Sequence, residues 1–341
     1  MRLETIATVS SGIGVPELAF GLRSIFQSEI AAFPSAVLAE RFPESRNLGD
    51  MRNIDGESYR GQVDVFCGGT PCQAFSTIGL RRSLADGVGQ LTLKFIELAN
   101  EIAPTLTVWE NVPGVLTTSD NAFGQFIGGM AGEGELHPPG GRWPSCGGVL
   151  GRRRAIAWKC LNSSRYVPQR RRRIYLAAID IGRLRGLGGA ASRINTARLA
   201  VLPLAILAER SLQNWDTKKG GQTQHQSPPA HGDGLIAFSS IDNGRDAGIL
   251  SPTLRSGNSR KGRPCSGGNA VAITDGYNAR KLTPVELERL QGLPDDYTLI
   301  PYLGGLAPNY LRVGAIANAM TLPVVRAIAA NAQELITELT H

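Results

Sequence analysis

The sequence predicts an α/β fold: a doubly wound, mostly parallel sheet with a smaller, irregular, β-containing domain inserted late in the chain. Short β-rich runs alternate with helical patterns through the first 180 residues, as parallel sheets with crossover helices require. Several of these runs end at a glycine turn or an acid, where such sheets gather ligands. Between Gly182 and Asp275 the periodicity lapses, and Gly and Ser become frequent, which marks irregular structure.

Taken in order, Ile6 to Val9 reads as the first strand. The turn Ser11-Gly12-Ile13-Gly14 leads from it into a helix-like stretch, Pro16 to Leu22. Ser24 to Ser28 is the second strand, with Glu29 at its end. Val63 to Cys67 is the third, Gln90 to Ile102 an amphipathic helix, and Thr105 to Trp109 a strand ending at Glu110. Arg173 to Ile179 is a later strand. Thr283-Pro284-Val285-Glu286 has an N-cap threonine, a first-turn proline and an acid three residues on, so a helix starts there. Leu287 and Leu290 then face inward, and Val324 to Leu339 forms a closing helix. The expected segments are 1–181, 182–278 and 279–341, the last returning to the first domain.

Hydrophobic residues make up 42% of the chain, enough for a core. No apolar run approaches the roughly 18 residues of a membrane span, and Met1-Arg2-Leu3-Glu4 lacks the apolar core of a secretory signal. The expectation is a soluble cytoplasmic protein. The five cysteines include no Cys-x-x-Cys pair and the four histidines are scattered, which argues against a metal site and a disulfide framework. Net charge is +7, and residues 142–173 hold ten basic residues and no acidic one. That concentration suits a surface facing nucleic acid.

Three blocks carry chemistry. In Gly68-Gly69-Thr70-Pro71-Cys72-Gln73, Cys72 follows a proline at the end of a strand, where the backbone is restricted. Its thiolate is a strong nucleophile, whereas Cys67, inside the strand, reads as a core residue. Glu110-Asn111-Val112 places a carboxylate at the mouth of the next strand. Pro168-Gln169-Arg170-Arg171-Arg172-Arg173 precedes a further strand, and alternation along it puts Arg171 and Arg173 on one face. A nicotinamide-dependent oxidoreductase is the competing reading of the first glycine turn. Its full Gly-x-Gly-x-x-Gly is missing, because Gly12 and Gly14 are followed by Glu17.

In this order the blocks resemble the DNA (cytosine-5) methyltransferase family, most closely its phage and prophage members. The resemblance extends to Leu282-Thr283-Pro284 through Leu290-Gln291-Gly292-Leu293-Pro294 and to Ala317-Asn318-Ala319, and covers about two thirds of the chain. It implies a Rossmann-like methyltransferase fold, with the 182–278 segment as a target-recognition domain. It implies S-adenosylmethionine as cofactor, held by Ser11, Gly12, Ile13, Gly14, Glu29, Ile30, Asp50, Met51, Pro71, Leu91 and Asn318. Cys72 would attack carbon 6 of a flipped cytosine, Glu110 would hold the ring, and Arg173 with Arg171 would contact the base and orient Glu110. The partner would be double-stranded DNA, met by Gln73, Ser76, Arg81, Arg82, Arg255, Arg260, Lys261 and Arg263. A monomer without metal is expected. The chain departs from the family pattern at Ser10, Val15, Val88 and Ala317. Val88 replaces an arginine of the loop that closes over the base. Two alternatives stay open: an RNA cytosine methyltransferase, and a weakly active or inactive prophage remnant that binds DNA.

Overall fold

The computed structural model describes residues 2–71, 89–209, 236–239, 248, 250–254, 271–274 and 279–340. The main sheet comprises β1 Thr5–Val9, β2 Arg23–Phe26, β3 Val65–Gly68, β4 Leu106–Asn111, β5 Cys146–Leu150, β6 Arg154–Asn162 and β7 Arg172–Asp180. Their spatial order is β2-β1-β3-β4-β7-β6-β5. The first four are parallel, while β7 runs antiparallel to β4 and β5 antiparallel to β6. The sheet is therefore mostly parallel on one side and mixed on the other, as the α/β reading requires. The strand order reverses direction between β1 and β3, so the crevice beyond their carboxyl ends is where a ligand belongs.

Every residue of β1 and β3 is buried, which is how strands covered on both faces by helices read. Helices α1 Val15–Phe20, α2 Ala32–Arg41, α3 Gly89–Ile102 and α4 Ala122–Ala131 belong to this part of the fold. α3 buries Phe95, Leu98, Ala99 and Ile102, the spacing of a single helical face. Phe95 stacks on Phe66 of β3 with ring centroids 5.0 Å apart, and Trp109 of β4 meets Phe126 of α4 at 4.6 Å. Arg154 crosses the same core, fully buried. Its guanidinium donates to the carbonyls of Ala99 and Met130 and to Asn100 Oδ1, at 2.6, 3.0 and 2.7 Å. Burial lowers its pKa to about 10, against the opposing pull of Asp180 at 3.8 Å; the carbonyls near the ends of α3 and α4 add to that compensation.

The chain divides into two compact units. The first holds residues 1–161, 172–208 and 328–341; the second holds 162–171 and 209–327. The stretch after residue 182 is more regular at its start than its composition suggests. α5 Ile181–Gly186 and α6 Thr196–Ile206 stand there, in the first unit. Asn195 caps α6 by accepting the Arg198 amide, and Asn331 donates to the carbonyls of Ile206 and Ala208. By contacts, the second unit therefore resumes at Glu209 rather than near 182. The β5–β6 hairpin is not among the strands that the sequence predicts.

Within the second unit, β8 Ile236–Ser239, β9 Val271–Thr274 and β10 Ala279–Lys281 form an antiparallel sheet. It packs through Ala237, Val271 and Ile273 with Leu287 of α7 Pro284–Leu290 and Ile316 of α8 Asn309–Asn318. The capping box read from Thr283 and Glu286 forms in full, and Leu287 faces inward. A short hairpin, β11 Pro301–Tyr302 with β12 Gly305–Leu306, lies between α7 and α8. The closing helix α9 runs Leu322–Thr340.

Candidate active site

The glycine turn after β1 contains Ser10, Gly12 and Gly14 at φ 48, 57 and 79°. Gly14 has no alternative, because a Cβ there would lie 2.3 Å from the Phe42 ring. A Cβ at Gly12 would meet nothing within 4 Å, so the backbone at Gly12 faces open space. The turn is sewn to the end of β2. The Ser11 amide donates to the Ser28 carbonyl (3.1 Å), and the Ser28 amide donates back to Ser11 Oγ (3.0 Å). Ser28 Oγ in turn donates to the Gly49 carbonyl at 2.6 Å.

Glu29 is held at both oxygens: Oε2 accepts the Gly12 amide at 2.9 Å and Oε1 the Ala31 amide at 2.8 Å. Asn47 Oδ1 accepts the Glu29 amide. The next residue, Ile30, is 75% exposed. A fixed carboxylate suits sugar hydroxyls, an exposed aliphatic face suits a flat ring, and the clear backbone at Gly12 allows close approach. This donor set fits an adenosine-bearing cofactor. Asp50 differs from a free acceptor. It accepts the Arg52 amide and pairs with the Arg52 guanidinium at 2.5 Å, which holds its carboxyl below the usual range. Met51 is buried beside it, and Leu91, on α3, is half-buried.

The end of β4 divides its side chains between two faces. Trp109 and Asn111 point one way and fix the stem beyond β3. The Trp109 indole donates to Thr70 Oγ1 at 3.2 Å, and the Asn111 amide donates to the Thr70 carbonyl at 2.8 Å. Pro71 follows, exposed. Glu110 points the other way and pairs with Arg173 of β7, Nε to Oε1, at 3.1 Å. Register explains this pair. Glu110 stands opposite Tyr175, so Arg173, two residues away on the same face, is its diagonal neighbour. Both side chains retain slight exposure, 13 and 15%, so the pair is fixed yet reachable.

The strand containing Glu110 extends through Asn111, so this acid sits within β4 rather than beyond it. Arg171 departs from expectation. β7 begins at Arg172, so the period-2 alternation that would align Arg171 with Arg173 does not reach it. Arg171 is buried in the second unit, donating to the carbonyls of Leu254, Ala317 and Ala319. Its guanidinium is a structural tie there. Asn318 is exposed at the end of α8 in the second unit. Cys72, Gln73, Ser76, Arg81, Arg82 and Val88, and likewise Arg255, Arg260, Lys261 and Arg263, lie outside the described residues. Cys67 is fully buried, and burial pushes its thiol well above the ordinary range, consistent with a core role. Among the described residues no group of His, Cys, Asp and Glu could hold a metal. No single helix there is long and apolar enough to cross a membrane.

Sequence reasoning passed over Thr70, Trp109, Asn47 and Glu17. The first two could have been found, since alternation about Glu110 puts Trp109 on the face of Asn111. Asn47 and Glu17 act through contacts distant in sequence and carry no local signal.

A family profile described as C-5 cytosine-specific DNA methylase matches residues 6–334. A protein of Escherichia phage P1 named DNA N-6-adenine-methyltransferase is 43% identical over 209 residues, covering 50% of this chain and 28% of that protein. The chain thus spans under a third of that relative's length. The type II methyltransferase M1.ScrFI of Lactococcus lactis subsp. cremoris is 24% identical over 341 residues, 96% of this chain and 77% of that one. Among solved structures, a DNA modification methyltransferase encoded within an E. coli prophage superposes with TM-score 0.55 at 16% identity, covering 98% of this chain and 99% of the other. That likeness supports the Rossmann-like fold. With the family profile spanning nearly the whole sequence, the chain belongs to the C-5 cytosine-specific DNA methylase family.

Proposed function

We propose that the protein transfers a methyl group to carbon 5 of a cytosine flipped out of duplex DNA, using S-adenosylmethionine and Cys72 as nucleophile. The observation that carries this reading is the arrangement about β4. One face of the strand fixes the Thr70–Pro71 stem that leads directly to Cys72, and the other presents the Glu110–Arg173 pair. Glu29, Gly12 and Ile30 would hold the cofactor, which supplies an electrophilic methyl group.

Carbon 5 of cytosine is too weak a nucleophile to take a methyl group unaided. Addition of the Cys72 thiolate to carbon 6 breaks the ring's conjugation and places electron density on carbon 5. Glu110 would hydrogen-bond N3 and the exocyclic amine, stabilising the ring as charge develops. Arg173 keeps Glu110 oriented through a charge-assisted contact. After methylation, the carbon-5 proton passes to solvent water, its electron pair re-forms the C5–C6 double bond, and Cys72 leaves as a thiolate, restoring the aromatic ring and the free enzyme. The substrate base must leave the stack, at a cost of a few kcal/mol. The basic 142–173 stretch suits the phosphate backbone.

The phage P1 relative's name favours a second reading, transfer to the amine of adenine. That amine attacks directly and needs no thiol, so the two readings separate on Cys72→Ser. Sequencing DNA from expressing cells gives the modified base and its context. Trapping on duplex DNA containing 5-fluorocytosine tests the adduct. A denaturant-stable complex that is lost in Cys72→Ser is expected, whereas adenine methylation surviving that substitution would replace the cytosine reading.

A further inference from the structure

Glu17 has no part in the chemistry above, yet it is the most anomalous side chain near the glycine turn. It is 2% exposed, on the short helix that follows the turn. Burying a carboxyl without a cation costs several kcal/mol if it is ionised. Its neighbours are a hydroxyl, an amide and a thiol: Thr8 on β1, Gln27 beyond β2 and Cys67 on β3. Burial, the largest influence on it, raises its pKa. An apolar residue would fill this position at lower cost, so its presence calls for a reason beyond packing.

The hydrogen bonds supply one. Thr8 Oγ1 donates to Glu17 Oε1 at 2.5 Å and shares a second hydrogen bond with Ser11 Oγ at 2.7 Å. Ser11 Oγ also accepts the Ser28 amide at 3.0 Å. The chain Glu17–Thr8–Ser11–Ser28 therefore runs from the buried acid, under the glycine turn, to the residue before Glu29. Each hydroxyl has one proton to give, and Ser11 Oγ lies within reach of both Thr8 Oγ1 and the Ser28 carbonyl, so an acceptor for Thr8 at the buried end decides which of the two the Ser11 proton takes. With Glu17 accepting from Thr8, the Thr8 oxygen is free to accept from Ser11, and Ser11 to accept from Ser28. Without that acceptor the Thr8 proton is left to point at Ser11 Oγ, whose own proton then turns to the Ser28 carbonyl 3.3 Å away, a longer bond, and the seam between the turn and Glu29 shifts.

We propose that Glu17 is a positioning residue for the cofactor site, orienting the Thr8 and Ser11 hydroxyls so that Gly12 and Glu29 are held in binding geometry. This deepens the cofactor assignment proposed above and rests on it. Cofactor affinity and thermal stability should respond in opposite senses. Glu17→Leu removes a desolvated acid in favour of an apolar side chain, so its melting temperature stays equal or rises. Its affinity for S-adenosylhomocysteine falls by about tenfold, the loss of roughly one oriented hydrogen bond. Glu17→Gln keeps an acceptor for Thr8 and restores most of that affinity. Thr8→Val weakens binding as Glu17→Leu does, and combining them adds little, because both break one chain.

Calorimetric titration of the full chain with S-adenosylhomocysteine and S-adenosylmethionine, alongside melting curves, measures all of this. Glu17→Leu binding as tightly as wild type overturns the proposal. So does a Glu17→Leu protein that loses stability and affinity together while Thr8→Val binds normally, since the acid would then be structural. If the wild-type protein binds neither compound, it is the cofactor assignment that fails.

Discussion

Glu17 and Glu288 are both buried acids, one in each compact unit, and their surroundings are opposite. Glu288 is fully buried on α7 and saturated with donors. Its Oε1 accepts the Thr298 amide, the Thr298 hydroxyl and Arg312 Nη2, and its Oε2 accepts the same Arg312 nitrogen. Arg312 also reaches Thr298 Oγ1 and Asp296. Glu17 has hydroxyl and amide neighbours in place of a guanidinium. A closed network such as that of Glu288 holds a fold together. A buried acid whose hydrogen bonds lead outward to a turn facing open space is arranged for something that binds there. The buried, mutually paired polar residues of the second unit should therefore answer to stability, and those at the strand ends of the first to binding and turnover.

The largest expected effect breaks the closed network. Arg312→Met leaves Glu288 buried without its partner, and such a loss costs about 3–5 kcal/mol. Denaturant unfolding, followed by a probe in the second unit, should show a loss of that size. A loss under about 1 kcal/mol would mean that the pair is not closed, and the contrast with Glu17 would dissolve. Next in size is Glu110→Gln. It keeps shape and stability but removes the carboxyl proton that would be given to N3 as charge builds on the ring, which should lower the methyl-transfer rate by about 10²–10³-fold. Unchanged cofactor affinity would confirm that the effect belongs to the base and not to the glycine turn. Arg171→Ala, by contrast, should reduce stability rather than leave an intact, slow enzyme, because its guanidinium serves three backbone carbonyls.

The same contrast explains what could be read from the sequence. The parallel half of the sheet was legible because Val65, Phe66 and Cys67, or Ile6, Ala7 and Val9, form apolar runs buried on both faces. The α7 start was legible because its capping box is local chemistry between Thr283 and Glu286. The β5–β6 hairpin escaped because Gly147 and Gly148 dilute the strand signal in β5 and three arginines, 152–154, separate the two runs. α6 escaped because Pro203 interrupts its apolar pattern, although the helix accommodates it. At the site, Cys72, Glu110 and Arg173 could be nominated from residue type and order. Arg171 was misplaced for a physical reason, since alternation holds only within a strand and the strand starts one residue later. Glu17 was invisible because nothing in a six-residue helix distinguishes an inward acid from an outward one.

A smaller effect separates the two faces of β4. Trp109→Phe keeps the ring packed against Phe126 but deletes the hydrogen bond to Thr70. The expected cost is about 1 kcal/mol of stability, together with slower trapping on 5-fluorocytosine DNA, because the stem before Cys72 loses one of its two ties to β4. The Glu110–Arg173 pair lies on the opposite face and should be untouched, and the glycine turn keeps its own ties to Ser28 and Glu29, so cofactor affinity should not move. If trapping is as fast as in wild type, Asn111 alone suffices to fix the stem.

The smallest effect belongs to a local, partly exposed device in the second unit. Glu286 pairs with Arg280 and accepts the Thr283 amide and hydroxyl, and the Arg280 contact leads in lowering its pKa from 4.5 to about 2. A carboxyl depressed on folding contributes stability that is complete above the unfolded value and is lost as pH falls through the folded one. The contribution should therefore be present at pH 5 and above, shrink between about pH 4.5 and 2, and be gone below that window. Solvent screens the pair, so its expected size is about 0.5–1 kcal/mol. Glu286→Gln should remove that pH dependence from the unfolding free energy while leaving cofactor affinity unchanged. An equal loss at pH 3 and pH 7 would show that the capping hydrogen bonds, and not the charge, account for it.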